Sequence, residues 1–269
     1  MTVPYEYLIA GLPDMFLEES KTEFSLGEFI SDLAELVPAA DARLLPYTAL
    51  LIDNQNLISI LQNTGVPFNR SGLFDEETLQ DEIKNPDLAP SYMQDFITAY
   101  NENIQLFPGL SWENQLHWLF YEEVLALENS FLVDWFTFDL NLRNILAAIN
   151  SRESGKQIDH QVVYQNEVTD LLLKSNAPDF SLGTKVSWSD RVFSMDLNEI
   201  ADSESKLAVF RLEMLDDIAS FNLFSIDTIL GFCIRLAIIE RWGLLDDETG
   251  KQKLDQIIQD METSYQAAL

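Results

Sequence analysis

Apolar residues in this chain return every three or four positions and almost nowhere every second one. A helix shows one face at steps of three and four, whereas a half-buried strand needs alternation, so the spacing predicts an all-α, multi-helical fold. Leu26, Phe29, Ile30, Leu33 and Leu36 set the pattern, with Ser25 and Glu28 spaced as a capping box and Pro38 as the stop. A second helix, from Leu44 to Leu61, is apolar around much of its circumference and ends near Gly65-Val66-Pro67. The acidic turn Asp75-Glu76-Glu77-Thr78 opens a short helix with a solvated face, which Asn85-Pro86 terminates. A helix from Ser91 to Phe107 follows, and Pro108-Gly109 breaks the chain. Ser111 caps the next, which runs to Leu127. Further helices are expected at 131–151, 161–174, 187–200, 203–221 and 225–242, with an amphipathic one after Asp246. Only Val3-Tyr5-Tyr7-Ile9 alternates, which predicts a short extended N-terminal segment closed by Gly11-Leu12-Pro13-Asp14. The Pro-Gly break divides a first helical lobe, 1–108, from a second region, 109–269, packed with it as one unit.

Composition narrows the class of partner. Of 269 residues 47% are apolar, enough for a packed core, and no Gly/Ser-rich or Pro-rich stretch marks a linker. Net charge is −29, with 24 acids against 4 bases in residues 1–142 and 21 against 12 in 143–269. No lysine or arginine occurs from Asn85 to Leu142, so a phosphate backbone or an anionic lipid surface would be repelled, and neither nucleic acid nor direct lipid insertion is expected. The acidic surface is either a solubilising one or a docking face for a basic protein. The N-terminus lacks a basic region ahead of an apolar run, and no uncharged apolar run is long enough to span a bilayer, so neither secretion nor membrane insertion is expected. The single cysteine, Cys233, sits among Ile229, Leu230, Phe232 and Ile234 and reads as a small buried hydrophobe.

Catalytic chemistry has few candidate residues. His117 and His160 lack a second histidine or a cysteine at zinc-ligand spacing, and neither has the Glu-x-x-His pairing of a carboxylate-bridged metal site. Glu113 and His117 read as an intrahelical pair on a surface helix. The chain holds no P-loop, no dinucleotide-binding glycine fingerprint and no nucleophile elbow. Asp216-Asp217 and Asp246-Asp247 are adjacent rather than facing pairs. No catalytic residue, metal or cofactor is assigned from the residues. Trp112, Trp118, Trp135, Trp188 and Trp242 read as core or interface anchors, with Trp135 beside Phe136 as the best interface candidate.

One pattern conflicts with its surroundings. Asp53-Asn54-Gln55-Asn56-Leu57-Ile58 and, 88 positions on, Asn141-Leu142-Arg143-Asn144-Ile145-Leu146 each place an Asp or Asn three residues before an asparagine inside an apolar helix. Asparagine competes with the helix backbone for hydrogen bonds, so its place there implies a use for the amide and suggests a duplicated module. Paired in this way, Asp53 with Asn56 and Asn141 with Asn144 are expected to bond carbonyls of a neighbouring helix and fix its register.

These two stretches resemble the recurring Asp-x-x-Asn-Leu-x-x-Leu-Leu helices of the V-type ATPase C subunit, also called the d subunit, the second more closely because Arg152 trails it. Gly231-Phe232-Cys233-Ile234-Arg235 with Glu240 is a weaker third echo, with Trp242 where that family has its asparagine motif. Over nearly its whole length, beginning at Tyr7-Leu8-Ile9-Ala10-Gly11-Leu12-Pro13-Asp14, the chain also resembles a bacterial family of unknown function encoded alongside V-type ATPase subunits. The resemblance implies pseudo-repeated helical lobes forming a funnel-shaped socket on the membrane rotor ring. Such a socket receives the central stalk and transmits torque during proton or sodium transport, in the cytoplasm and peripheral to the membrane through the ATPase complex. The resemblance also implies three lobes, with room for one to be trimmed because the chain is short for that family, and a subunit that performs no bond chemistry. Two other readings stay open: a free-standing acidic adaptor for a basic protein, and an enzyme with a concave pocket of perturbed titratable groups.

Overall fold

The computed structural model describes residues 4–15, 17, 25–195, 200–219 and 223–244, and every regular element among them is helical. In chain order these are α1 (Tyr5–Ala10), α2 (Leu26–Leu36), α3 (Ala39–Ala42), α4 (Leu50–Gln62), α5 (Glu76–Lys84), α6 (Ser91–Asn101), α7 (Trp112–Val124), α8 (Ser130–Ser154), α9 (Glu167–Lys174), α10 (Ser189–Ser194), α11 (Ile200–Ala219) and α12 (226–244). The amphipathic helix expected after Asp246 lies outside the described residues.

Helix starts follow the caps. Ser25 and Glu28 close the reciprocal capping box, Asp75 caps α5 through the Thr78 N–H, and Ser111 caps α7 through the Asn114 N–H. Where boundaries move, local chemistry accounts for it. The apolar run from Leu44 splits into a 3₁₀ turn at Leu45–Thr48, where Pro46 withholds a donor, and then α4. The helix begun at Ser91 stops at Asn101, and Asn103 takes a left-handed backbone. The helix expected from Gln161 starts only at Glu167, once Asn166 caps it through the Thr169 N–H.

The N-terminal alternation does not form an extended segment. Tyr5, Leu8 and Ile9 sit at helical steps and pack on the core, while Tyr7 is 75% exposed, so the 3.6-residue period prevails there. The acidic helix α5 is also less solvated than its composition suggests. Glu82 is 4% exposed and accepts the N–H groups of Asp87, Leu88 and Ala89. Burial pushes its carboxyl up, but the three backbone donors together hold it below the usual glutamate value.

Among the described residues a cluster of buried apolar side chains runs from Leu26 on α2 to Leu236 on α12. Aromatic rings thread it: Tyr92 of α6 meets Phe120 of α7 at 5.9 Å, and Phe120 meets Phe136 of α8 at 5.2 Å, both edge-on. Further along α8, Phe138 meets Trp188 at 5.1 Å and Phe210 of α11 at 5.7 Å. Edge-on pairs contribute about 0.5–1.5 kcal/mol each beyond their buried area and resist sliding, because ring orientation is specified. Trp135 and Phe136 belong to this core, 4% and 2% exposed, and present no surface patch to a partner. At the other end, the Leu26 N–H at the start of α2 donates to Glu240 Oε1 of α12 at 3.2 Å.

Candidate functional site

The paired Asp/Asn positions do the same work twice, on the segment that follows their own helix. In the first copy Asn56 lies on α4 and engages Asn69 of the next loop through both ends of its amide: Nδ2 donates to the Asn69 carbonyl at 2.8 Å and Oδ1 accepts the Asn69 N–H at 2.9 Å. One turn earlier, Asp53 accepts the N–H groups of Leu73 and Phe74 at 3.1 and 3.2 Å, just before Asp75 caps α5. Asp53 is 0% exposed, and burial pushes its carboxyl up to about 7 against the opposing pull of those two donors. The loop passes so close that a Cβ on Gly72 would lie 2.3 Å from Asp53 Oδ1.

The second copy repeats the arrangement on α8. Asn144 Nδ2 donates to the Val163 carbonyl at 2.8 Å and Oδ1 accepts the Val163 N–H at 2.9 Å. Asn141 Oδ1 accepts from Asn166 Nδ2 at 2.9 Å, and Asn166 caps α9. Each long helix therefore clamps the loop behind it and positions the cap of the short helix that follows. Asn56 and Asn144 reach loop backbone, and Asn141 the Asn166 side chain, rather than carbonyls of a neighbouring helix, which corrects the register expectation: a loop has spare N–H and C=O groups, whereas a helix interior has none. Arg152 extends the clamp. Its guanidinium donates to the Ser175 and Ala177 carbonyls, both at 2.6 Å, and lies 3.4 Å from the centre of the Phe180 ring.

Arg143 takes a different direction. It points from α8 into a cavity of about 540 Å³ bounded by α4, α7, α8, α11 and α12. Its Nη2 donates to Asn114 Oδ1 at 2.8 Å, and Asn114 Nδ2 in turn donates to the His160 and Gln161 carbonyls. His117 lines the same space. It is 8% exposed, not on a surface face, and its Nδ1 lies 3.0 Å from the Glu113 carbonyl rather than pairing with the carboxylate. Burial, with the Arg143 charge nearby, pushes the imidazole down to about 3, so it is neutral at pH 7. Tyr121 donates to Asp139 at 2.7 Å, and burial beside that carboxylate raises the phenol well above its ordinary value. Arg211 of α11 lies 3.9 Å from Asp139 and Arg241 of α12 lies 3.4 Å from Glu204. Burial lowers the Arg211 guanidinium, the Asp139 carboxylate opposing it.

This mixture of fixed donors, paired charges and apolar walls is suited to holding a ligand. Among the described residues no group of three or more His, Cys, Asp or Glu is placed to hold a metal ion. Cys233 is fully buried, and burial raises its thiol to about 12, leaving it unreactive. Sequence reasoning reached the six motif positions, of which Asp53, Asn56, Asn141, Asn144 and Arg152 clamp loops and Arg143 faces the cavity. It missed Asn114, Tyr121, Asp139 and Arg211, which lie on three helices and meet only through tertiary packing. The scarcity of bases beside so many acids is the one signal that could have drawn attention to Arg211.

No curated protein and no solved structure matches the chain. A family described as a protein of unknown function (DUF2764) matches residues 1–265, and the chain belongs to that family.

Proposed function

We propose that the protein is a non-catalytic coupling component of a rotary, V-type ATPase, a socket between the membrane rotor ring and the central stalk that transmits torque during ion transport. The observation that carries this reading is the clamp built twice. Two long helices, α4 and α8, each hold the following loop through an Asp/Asn-x-x-Asn face, the pseudo-repeat that the resemblance to the V-type ATPase C subunit implies. A torque-bearing part needs elements that do not slip under load. Side-chain amides bonded to both polar groups of one loop residue, and edge-on rings across α6, α7, α8 and α11, favour one register over its neighbours. Among the described residues no helix is long and apolar enough to cross a membrane, so in this reading the contact with the membrane runs through the rotor ring.

The test is to purify the tagged chain from its native membranes and identify what accompanies it. Stalk and ring proteins are the expected companions. Removing the chain should leave ATP hydrolysis uncoupled from proton or sodium pumping, and adding it back should restore coupling. An unrelated basic protein as the main companion, or pumping unaffected by removal, would overturn the reading.

A further inference from the structure

We propose that the cavity between α8, α7 and α11 is a binding site for a small organic monocarboxylate with an apolar body, and that Arg143 is the residue that recognises its carboxylate. At about 540 Å³ the cavity falls within the roughly 300–1,000 Å³ typical of small-ligand pockets, and its walls combine apolar surface with a few fixed polar groups. Leu146, Leu207, Ile238 and Trp242 supply apolar wall.

The charges single out Arg143. Arg211 faces Asp139 and Arg241 faces Glu204, whereas among the described residues no carboxylate pairs with Arg143. It is nonetheless oriented, because Asn114 takes one of its N–H groups and is itself anchored to the 160–161 backbone. A fixed guanidinium with free donors matches the planar fork of a carboxylate. The neighbouring His117 is neutral and adds no charge of its own. Glu113, Asp139, Glu204 and Glu240 also line the cavity, so a dianion such as a phosphate monoester meets more repulsion than a monoanion. In a chain of net charge −29 such a ligand is drawn in by this local arrangement alone, not by the overall field. The site stands whether or not the chain couples a rotor.

Trp135 and Trp242 line the cavity, so their emission reports occupancy. Octanoate, octanamide and octyl phosphate should be titrated at pH 7.5, with calorimetry confirming stoichiometry. Octanoate should saturate at one per chain, and the amide and the phosphate should each bind at least tenfold more weakly. Arg143→Gln should reduce octanoate affinity to that of octanamide and leave octanamide unchanged. Ala147→Leu, which narrows the cavity one turn from Arg143 without altering charge, should weaken acid and amide alike, and remains informative if the first variant fails to fold. No saturable octanoate binding up to millimolar concentration, equal binding of acid and amide, or full octanoate affinity in Arg143→Gln would each overturn the proposal.

Discussion

Asn144 illustrates why a single amide can matter in a chain this apolar. It is 0% exposed and satisfies both the N–H and the C=O of Val163, itself buried, so removing the amide strands two backbone groups away from water. Asn144→Ala should therefore cost about 2–4 kcal/mol in urea unfolding, counting a penalty of about 1–3 kcal/mol for each stranded group with partial relaxation. Asn56→Ala should cost less, because the loop it holds is only partly buried. Equal losses would mean that burial of the loop does not set the cost. Asp53 adds a pH dependence that its counterpart Asn141 lacks. Its folded value near 7 exceeds the ordinary 3.8, so the native state binds the proton more tightly and the stabilisation is complete below pH 4. It is lost as pH rises through 7, by up to roughly 4 kcal/mol at about 1.4 kcal/mol per pH unit. Urea midpoints of Asp53→Asn should fall less than those of the parent protein between pH 4 and 8; parallel profiles would mean that Asp53 titrates normally.

Among the elements, α2 is the one whose placement depends most on a missing side chain. A Cβ on Gly27 would lie 2.1 Å from the Gly72 carbonyl oxygen, and that oxygen belongs to backbone held by Asp53 and Asn56. Because neither side can yield cheaply, Gly27→Ala should destabilise by a few kcal/mol, as overpacking of about 1–3 kcal/mol suggests, despite alanine's better helix propensity. A stabilised variant in thermal unfolding would show that α2 can lift from the loop without loss. Nothing local marks Gly27: its neighbours predict a helix, and the contact exists only once residues 69–74 fold back across it. The same division holds elsewhere. Ser25 and Ser111 are legible as caps because capping is a matter of three residues, Asp75 only as part of an acidic first turn, and α8 because its apolar period is long. The asparagine pairs were legible as anomalies but not as loop clamps, since their partners lie 13 to 25 positions away. His117 reads as a surface residue from its own helix because its burial depends on the helices that enclose the cavity, and no residue of α7 says so.

Over the whole molecule, charge and packing oppose each other. A net charge of −29 gives strong self-repulsion, and the described ion pairs offset little of it. Lys84–Asp81, Lys174–Asp170 and Lys185–Glu167 are close, at 2.8, 3.0 and 2.6 Å, but all lie on the surface. Exposed pairs of this kind contribute about 0–1 kcal/mol each and weaken with salt. What holds the fold is the apolar cluster and the buried loop clamps, which salt barely screens. Sodium chloride should therefore stabilise the protein, and most of the gain should come at low concentration. The Debye length contracts from about 30 Å at 0.01 M to about 8 Å at 0.15 M, and that change removes the long-range part of the repulsion. A melting temperature several degrees higher at 0.15 M than at 0.01 M is expected, where roughly 2–4 °C corresponds to 1 kcal/mol for a chain of this size. A gain confined to molar salt would instead indicate strengthened apolar burial, and a fall on adding salt would show that surface ion pairs outweigh the repulsion.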